Sequence, residues 1–294
     1  MAGIRDRRNV VWLLAPALLV VGLTTIYPLG FSFWTSFHDW RLIKSVLPGD
    51  FIGLENYEVA FTDDPVFWGV IRVTARFVVI DVVATILAAL GLAILMMRAG
   101  IGHSIVRTLM ILPFAVSPAL IGITWKFMFN PEYGAVNRGI GAMLPFMDQL
   151  DWFASPALAT AALISADLWH WAPYFAFMIM GGLATVPPET QEAARIDGAS
   201  DLGVFWHVTL PQIMPIMTVA VILKTVFALK VFDSIVTMTG GGPGRETNTL
   251  AYFAYNIGFR DYDMGYAAAV AYVLTAVLFG LSFWYMRFIL PRTP

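Results

Sequence analysis

No cysteine occurs among the 294 residues, which removes disulfides, thiolate metal sites and cysteine nucleophiles together. Charge is scarce: Asp, Glu, Lys and Arg make up 13% of the chain, against roughly 25% in an ordinary soluble domain. The net charge of −2 argues against a nucleic-acid partner, which would need a basic face. The four histidines, His38, His103, His170 and His207, are scattered without metal-ligand spacing. There is no phosphate-binding G-x-x-x-x-G-K-S/T loop, so no cofactor is expected on this chain, and nucleotide hydrolysis would have to reside on another. Internal repeats, low-complexity tracts and interdomain linkers are also missing, so residues 1–294 read as a single domain.

What the chain has in abundance is apolar sequence: 59% hydrophobic residues and a mean hydropathy of +0.72. Six apolar segments, at about 10–33, 70–97, 105–129, 157–182, 212–238 and 265–290, approach the roughly 20 residues that cross a bilayer as a helix. Helices are expected because a lone chain in lipid must satisfy its own backbone hydrogen bonds. The fold class is therefore an all-α integral membrane protein with six transmembrane helices. The first segment is too long for a signal-peptide core and lacks a clear cleavage site, so it reads as a retained span. Arg5, Arg7 and Arg8 before span one, Arg98 and Arg107 around the 2–3 turn, and Arg287 and Arg292 after span six fall on one side. By the positive-inside rule that side is the cytoplasm, with both termini inside. Arg41, Lys44, Arg138, Arg245 and Arg260 fall on the other side. Arg72 and Arg76 open span two, where long side chains can reach the outer interface.

Between spans four and five lies a polar island, residues 187–211, predicted to be cytoplasmic. Pro187 and Pro188 suit the first turn of a helix, and Glu189 adds negative charge near its positive end. Gly198 supplies a flexible position just past the helix end, Ser200 caps a second short helix, and Pro211 closes a compact helix–turn–helix. The string Glu192-Ala-Ala-Arg-Ile-Asp-Gly198, followed by Leu210-Pro211, resembles the coupling loop of permeases in binding-protein-dependent ABC importers. One fixed position differs: Val208 stands where isoleucine is usual. The phrases Phe51-Ile-Gly-Leu-Glu-Asn-Tyr57, Leu112-Pro113, Trp169 with Pro173, and Gly240-Gly241-Gly242-Pro243 resemble the carbohydrate branch, and within it the maltose-type permease.

That resemblance implies an inner-membrane assembly of two related but different permeases, two ATPase subunits carrying ATP and magnesium, and an external solute-binding protein that delivers a sugar-like molecule. In the coupling loop it implies that Glu192 is a docking anchor on the ATPase. Ala193 and Ala194 allow close approach, and Gly198 permits the reversal, with Asp197, Leu210 and Pro211 completing the motif. A solvated amphipathic loop is the bland alternative.

Ionisable residues inside spans are expensive and default to functional candidates: Asp81, Asp167, His170, Lys224, Lys230 and Asp233. Lys230 and Asp233 sit three apart and can pair along one helix face. Asp167, Trp171 and Tyr174 form one helical stripe, which suits either a path lined for sugar hydroxyls and ring faces or ordinary helix packing. The resemblance assigns Trp171 and Tyr174, and in span five Lys224, Phe227, Ala228 and Val231, to the sugar site. Ala228 and Val231 replace polar residues of the family, so the hydrogen bonds to solute must differ. Lys224 either attracts an anionic solute group or pairs with Asp167 or Asp233. A proton-coupled secondary transporter using Asp81, Asp167 or His170 is the second functional reading, and it offers no reason for the coupling-loop spacing. A membrane-embedded enzyme would need a nucleophile with a base, or a metal motif, and neither occurs.

Overall fold

The computed structural model describes residues 13–97, 103–144 and 150–288. Arg5, Arg7, Arg8, Arg98 and Arg292, on which part of the orientation argument rests, lie outside the described residues. Among the described residues helices account for all regular structure, apart from isolated bridges pairing His38 with Phe51 and Arg41 with Asp263. In chain order the main helices are α1 (Leu13–Thr35), α2 (Phe67–Met97), α3 (Ile105–Ala115), α4 (Pro118–Met128), α5 (Ala135–Met143), α6 (Pro156–Leu183), α7 (Pro188–Ile196), α8 (Asp201–Leu229), α9 (Leu250–Phe259) and α10 (Met264–Phe288).

By length and composition α1, α2, α8 and α10 are apolar enough to cross a membrane. The segment expected over 105–129 is not one rod. α3 and α4 meet at a bend of 103°, because Pro118 disfavours helical backbone at Ser117. Val116 and Ser117 are accordingly extended, with ψ of 137° and 143°. The pair is either one broken span or a re-entrant element. α6 differs in another way: Asp167, His170 and Pro173 lower its hydropathy below that of the four apolar helices, yet 15 of its 28 residues are buried. More than half of its residues are thus packed against other parts of the protein.

The segment expected over 212–238 is shifted. α8 starts eleven residues earlier, at Asp201, and ends at Leu229. The carbonyls of Phe227 and Ala228 accept from Lys230 N and Val231 N at 3.2 Å, a tightened last turn that ends the helix. A separate π-helical turn follows at Ile235–Thr239.

The chain divides into two compact units. One combines the described residues up to Phe67 with Ala254–Thr275. Its extended stretch after α1 is tied down by side-chain caps. Asn56 donates to Ser36 O at 2.9 Å and His38 O at 3.2 Å, and the Ser36 hydroxyl meets Tyr57 Oη at 2.8 Å. Tyr266 donates to Asp64 at 2.7 Å, and Arg41 pairs with Asp263 at 3.1 Å. The 51–57 phrase thus supplies the groups that hold its own loop.

The other unit, Trp68–Phe253 with the stretch from Ala276, contains α2 through α8. α6 and α8 pack together there, with Phe175, Ile179, Ile213 and Ala220 among their buried residues. Gly122 of α4 lies against Ser234 and Thr237 so closely that a Cβ would overlap the Thr237 side chain. Arg76 forms an ion pair with Glu246 at 3.0 Å, and Arg107 caps the end of α2 by donating to Met96 O at 3.1 Å.

Candidate functional site

The polar island folds as its punctuation predicts at its first half. Pro187 is the N-cap of α7 and Pro188 its first residue. At the other end Gly198 adopts φ +90°, and two bonds run back into the helix: Ala199 N to Ala194 O at 3.0 Å and Gly198 N to Arg195 O at 3.1 Å. This is the paired arrangement of a Schellman turn, which needs a left-handed residue at the position Gly198 occupies. Ser200 then caps α8, its Oγ accepting from Gly203 N at 3.2 Å. Arg195 reaches across the reversal to Asp201 at 3.1 Å. Glu192, Ala193, Asp197 and Gly198 are solvent-exposed and Ala194 is half-buried. Neither Glu192 nor Asp197 has a side-chain partner among the described residues.

The second half departs from expectation. Pro211 does not close a short helix, and the helix that Ser200 starts continues through Leu210 and Pro211 into α8. A π-helical turn at Phe205–Thr209, with Leu210 N bonded to Phe205 O, precedes the proline. Extra residues in such a turn let the chain absorb a position without an N–H. The second arm of the loop and span five are therefore one rod, Asp201–Leu229.

Near the far end of that rod, α4, α6 and the segment that follows α8 frame a cavity of about 180 Å³ whose wall includes Asp167, His170, Trp171, Phe227 and Val231, with Lys230 and Asp233 also present. Five of the eight candidate path residues thus share one space. Trp171 stacks on Phe227 with centroids 4.4 Å apart and planes at 26°. Tyr174 lies one turn along, 6.0 Å from Trp171. Its ring stacks instead on Phe114, at 5.2 Å and 17°. Phe114 was not singled out by any spacing signal; it arrives through the α3–α4 elbow. His170 Nδ1 meets Pro113 O at 2.9 Å and so binds the elbow to α6.

Lys224 and Ala228 lie behind the wall, both buried. The Lys224 ammonium forms ion pairs with two carboxylates at once: Asp167 of α6, through Oδ2, and Asp81 of α2, at 2.6 Å. The Asp81 contact lacks hydrogen-bond alignment, and neither Asp81 oxygen has a hydrogen-bond partner among the described residues. Of the pairings open to Lys224, Asp167 is thus realised and Asp233 is not. The expected Lys230–Asp233 pair also does not form. α8 has ended before Asp233, so the two residues no longer share a helix face, and both are exposed. Asp81 carried no marker of partnership in the sequence beyond being a charge inside an apolar run.

Residues 75–293 match the family described as binding-protein-dependent transport system inner membrane component. The sulfoquinovosyl glycerol transport system permease protein of Agrobacterium fabrum is 37% identical over 97% of this chain and 91% of its own length. The trehalose/maltose transport system permease protein of Thermococcus litoralis is 34% identical over 90% and 88%. Among solved structures, a chain of a bacterial ABC transporter involved in import of the acidic polysaccharide alginate superposes with a TM-score of 0.75. It is 21% identical, over 97% of this chain and 99% of that one. The matched family spans about three quarters of the sequence, from within α2 to the C-terminal end, so the chain belongs to the binding-protein-dependent transport system inner membrane components and is a permease subunit of an ABC importer.

Proposed function

We propose that this permease forms the path for a sugar, polyol or sugar derivative delivered by an external solute-binding protein, and that it works beside a second, related permease and two ATPase subunits that bind ATP and magnesium. Six spans carry this function, with the bent α3–α4 pair as the third and α6 as the fourth, and both termini on the cytoplasmic side. The names of the relatives, which cover sulfoquinovosyl glycerol and trehalose or maltose, support the solute class.

The observation that carries the mechanism is the continuity of α8. It begins in the exposed reversal around Gly198 and reaches Phe227 in the cavity wall without a helix break, a rise of roughly 40 Å at 1.5 Å per residue. A force applied at the reversal is transmitted along a rod rather than through a loop. Glu192 is the docking anchor, Ala193 and Ala194 let the partner approach, Asp197 and Gly198 hold the turn, and Leu210 and Pro211 join it to the span. Closure of the ATPase dimer on ATP displaces the reversal, tilts α8 and turns the cavity outward to receive solute. Trp171, Tyr174 and Phe227 offer aromatic faces to the apolar faces of a sugar. Asp167, His170 and Val231 line the same cavity, and Ala228 backs it from within the helix packing.

Uptake into vesicles containing both permeases and the ATPase subunits tests this reading. Accumulation should require ATP inside and binding protein outside. Accumulation driven by a proton gradient without the ATPase would replace it with the secondary-transporter reading. Reporter fusions after Gly198 should report cytoplasm and those near Gly49, Tyr133 and Gly244 the exterior; an external Gly198 is out of reach of any ATPase and would end the coupling argument.

A further inference from the structure

The buried cluster of Asp81, Lys224 and Asp167 has two faces, and only one of them meets the cavity. Lys224 and Asp81 have fully buried side chains, while Asp167 retains 10% exposure. Asp167 belongs to the cavity wall and the other two do not. The ammonium of Lys224 is spent on two carboxylates, so it has no free face to offer an anion in the path. The cluster thus presents a carboxylate and not a cation to the path, and it offers no attraction to a carboxylate, sulfonate or phosphate at this level. What a paired, ionised carboxylate at a cavity wall does well is accept hydrogen bonds from hydroxyls, which are stronger than neutral ones.

We propose that Asp167 is the solute-hydroxyl acceptor of this permease, that Lys224 is its positioning residue rather than a charge sensor, and that Asp81 is a structural partner of Lys224 outside the solute path. The inference rests on the importer reading above and narrows it: at the level of Asp167 the solute presents neutral hydroxyl groups, and any anionic group it carries lies elsewhere along the path. Lys224 fixes the Asp167 carboxylate through Oδ2. Lys230 and Asp233, both exposed at the same cavity, carry opposite charges and leave the balance set by the cluster. His170 is committed through Nδ1 to the Pro113 carbonyl, which leaves Asp167 as the buried anionic acceptor among the wall residues named here.

Asp81→Asn and Asp167→Asn each remove one carboxylate and each leave one intact ion pair with Lys224. A cluster that only packs helices responds to the two alike. The complete complex, with its ATPase subunits, second permease and binding protein, is reconstituted and offered radiolabelled trehalose, maltose and sulfoquinovosyl glycerol. Whichever of these the wild type concentrates becomes the probe. Asp167→Asn should raise the KM for uptake about tenfold or more, the scale of a lost hydrogen bond to a charged acceptor, with Vmax largely kept. Asp81→Asn should leave KM within about twofold of wild type, because it touches no solute in this scheme. Lys224→Arg, which keeps the cation, should retain the uptake that Lys224→Gln loses. Equal KM effects from the two Asn variants, or a wild-type KM in Asp167→Asn, would overturn the assignment while leaving the importer reading intact. If Asp167→Asn does not accumulate, Asp167→Glu decides: the displaced carboxylate should raise KM, and an unchanged KM overturns the proposal. Uptake of none of the three solutes by wild type would defeat the sugar-importer reading and this inference with it.

Discussion

Trp171 and Phe227 stack face to face, 4.4 Å between centroids, one from α6 and one from α8. The contact joins the most buried interior helix to the rod that begins at the exposed reversal. Any tilt of α8 relative to α6 must slide or part these rings, so the stack lies where coupling motion and solute path coincide.

Phe227→Ala and Tyr174→Ala should therefore weaken transport while leaving assembly with the ATPase intact. Each removes a stacked ring, from Trp171 in one case and Phe114 in the other, a loss of about 1 kcal/mol in aromatic contact. Uptake kinetics measured beside ATPase retention check this. Wild-type uptake in both variants would return the rings to simple helix packing.

Replacing Lys224 by Met should be far more damaging than either ring deletion. Two carboxylates would remain buried with no cation, and breaking a buried pair costs about 3–5 kcal/mol. The expected result is a fall in membrane protein level with loss of all uptake. Combining Lys224→Met with Asp81→Asn should recover part of the protein level, since a single stranded carboxylate costs less than two. Quantitative immunoblotting of membranes is sufficient, and full accumulation of the single variant would contradict the buried pairing.

Gly122→Val probes the elbow. A Cβ at this position overlaps the Thr237 side chain and lies 3.3 Å from Ser234 Cα, so α4 must move away from the π-helical turn beside the cavity. Overpacking of this kind costs about 1–3 kcal/mol. Thermal melting of the purified complex should shift downward, and uptake should fall more than for Gly139→Val, where a Cβ meets open space. Equal melting shifts for the two variants would remove the packing role assigned to Gly122.

The coupling assignment is tested by Glu192→Lys and Gly198→Val. The first reverses an exposed, unpartnered charge. The second puts a β-branched residue at φ +90°, a backbone strain of about 1–3 kcal/mol. Both lie in the exposed reversal, so insertion of the spans should survive. The purified complex should lose its ATPase subunits, or keep them while binding protein no longer stimulates hydrolysis. Each single change should be nearly as damaging as both, because the reversal docks as a unit. Normal uptake by the double variant would show that this segment is not the coupling element.

Much of this was legible in the chain because it is local. The α7 cap at Pro187 and Pro188, the reversal at Gly198 and the Ser200 cap depend on residues within a turn of one another, and each took the expected form. The bend between α3 and α4 was also written locally, in Pro118, yet an apolar run that continues through a proline reads as one span when hydropathy alone is followed. The run through Pro211 misled in the opposite sense: a proline that looks like a terminator sits inside a continuous helix because a π-helical turn makes room for it.

The partners of Lys224 were a different kind of question. Asp167 lies 57 residues away, Asp81 lies in another helix still earlier in the chain, and Asp233, the nearest carboxylate in sequence, was an equally acceptable choice on spacing. Amino-acid order determined that a cation would be buried in an apolar helix and that it would need an anion. Which anion it meets is decided by the rotation and approach of α2, α6 and α8 about their common core. In that low-dielectric interior the charge must pair with whatever carboxylates packing brings within reach, and no local rule encodes the packing.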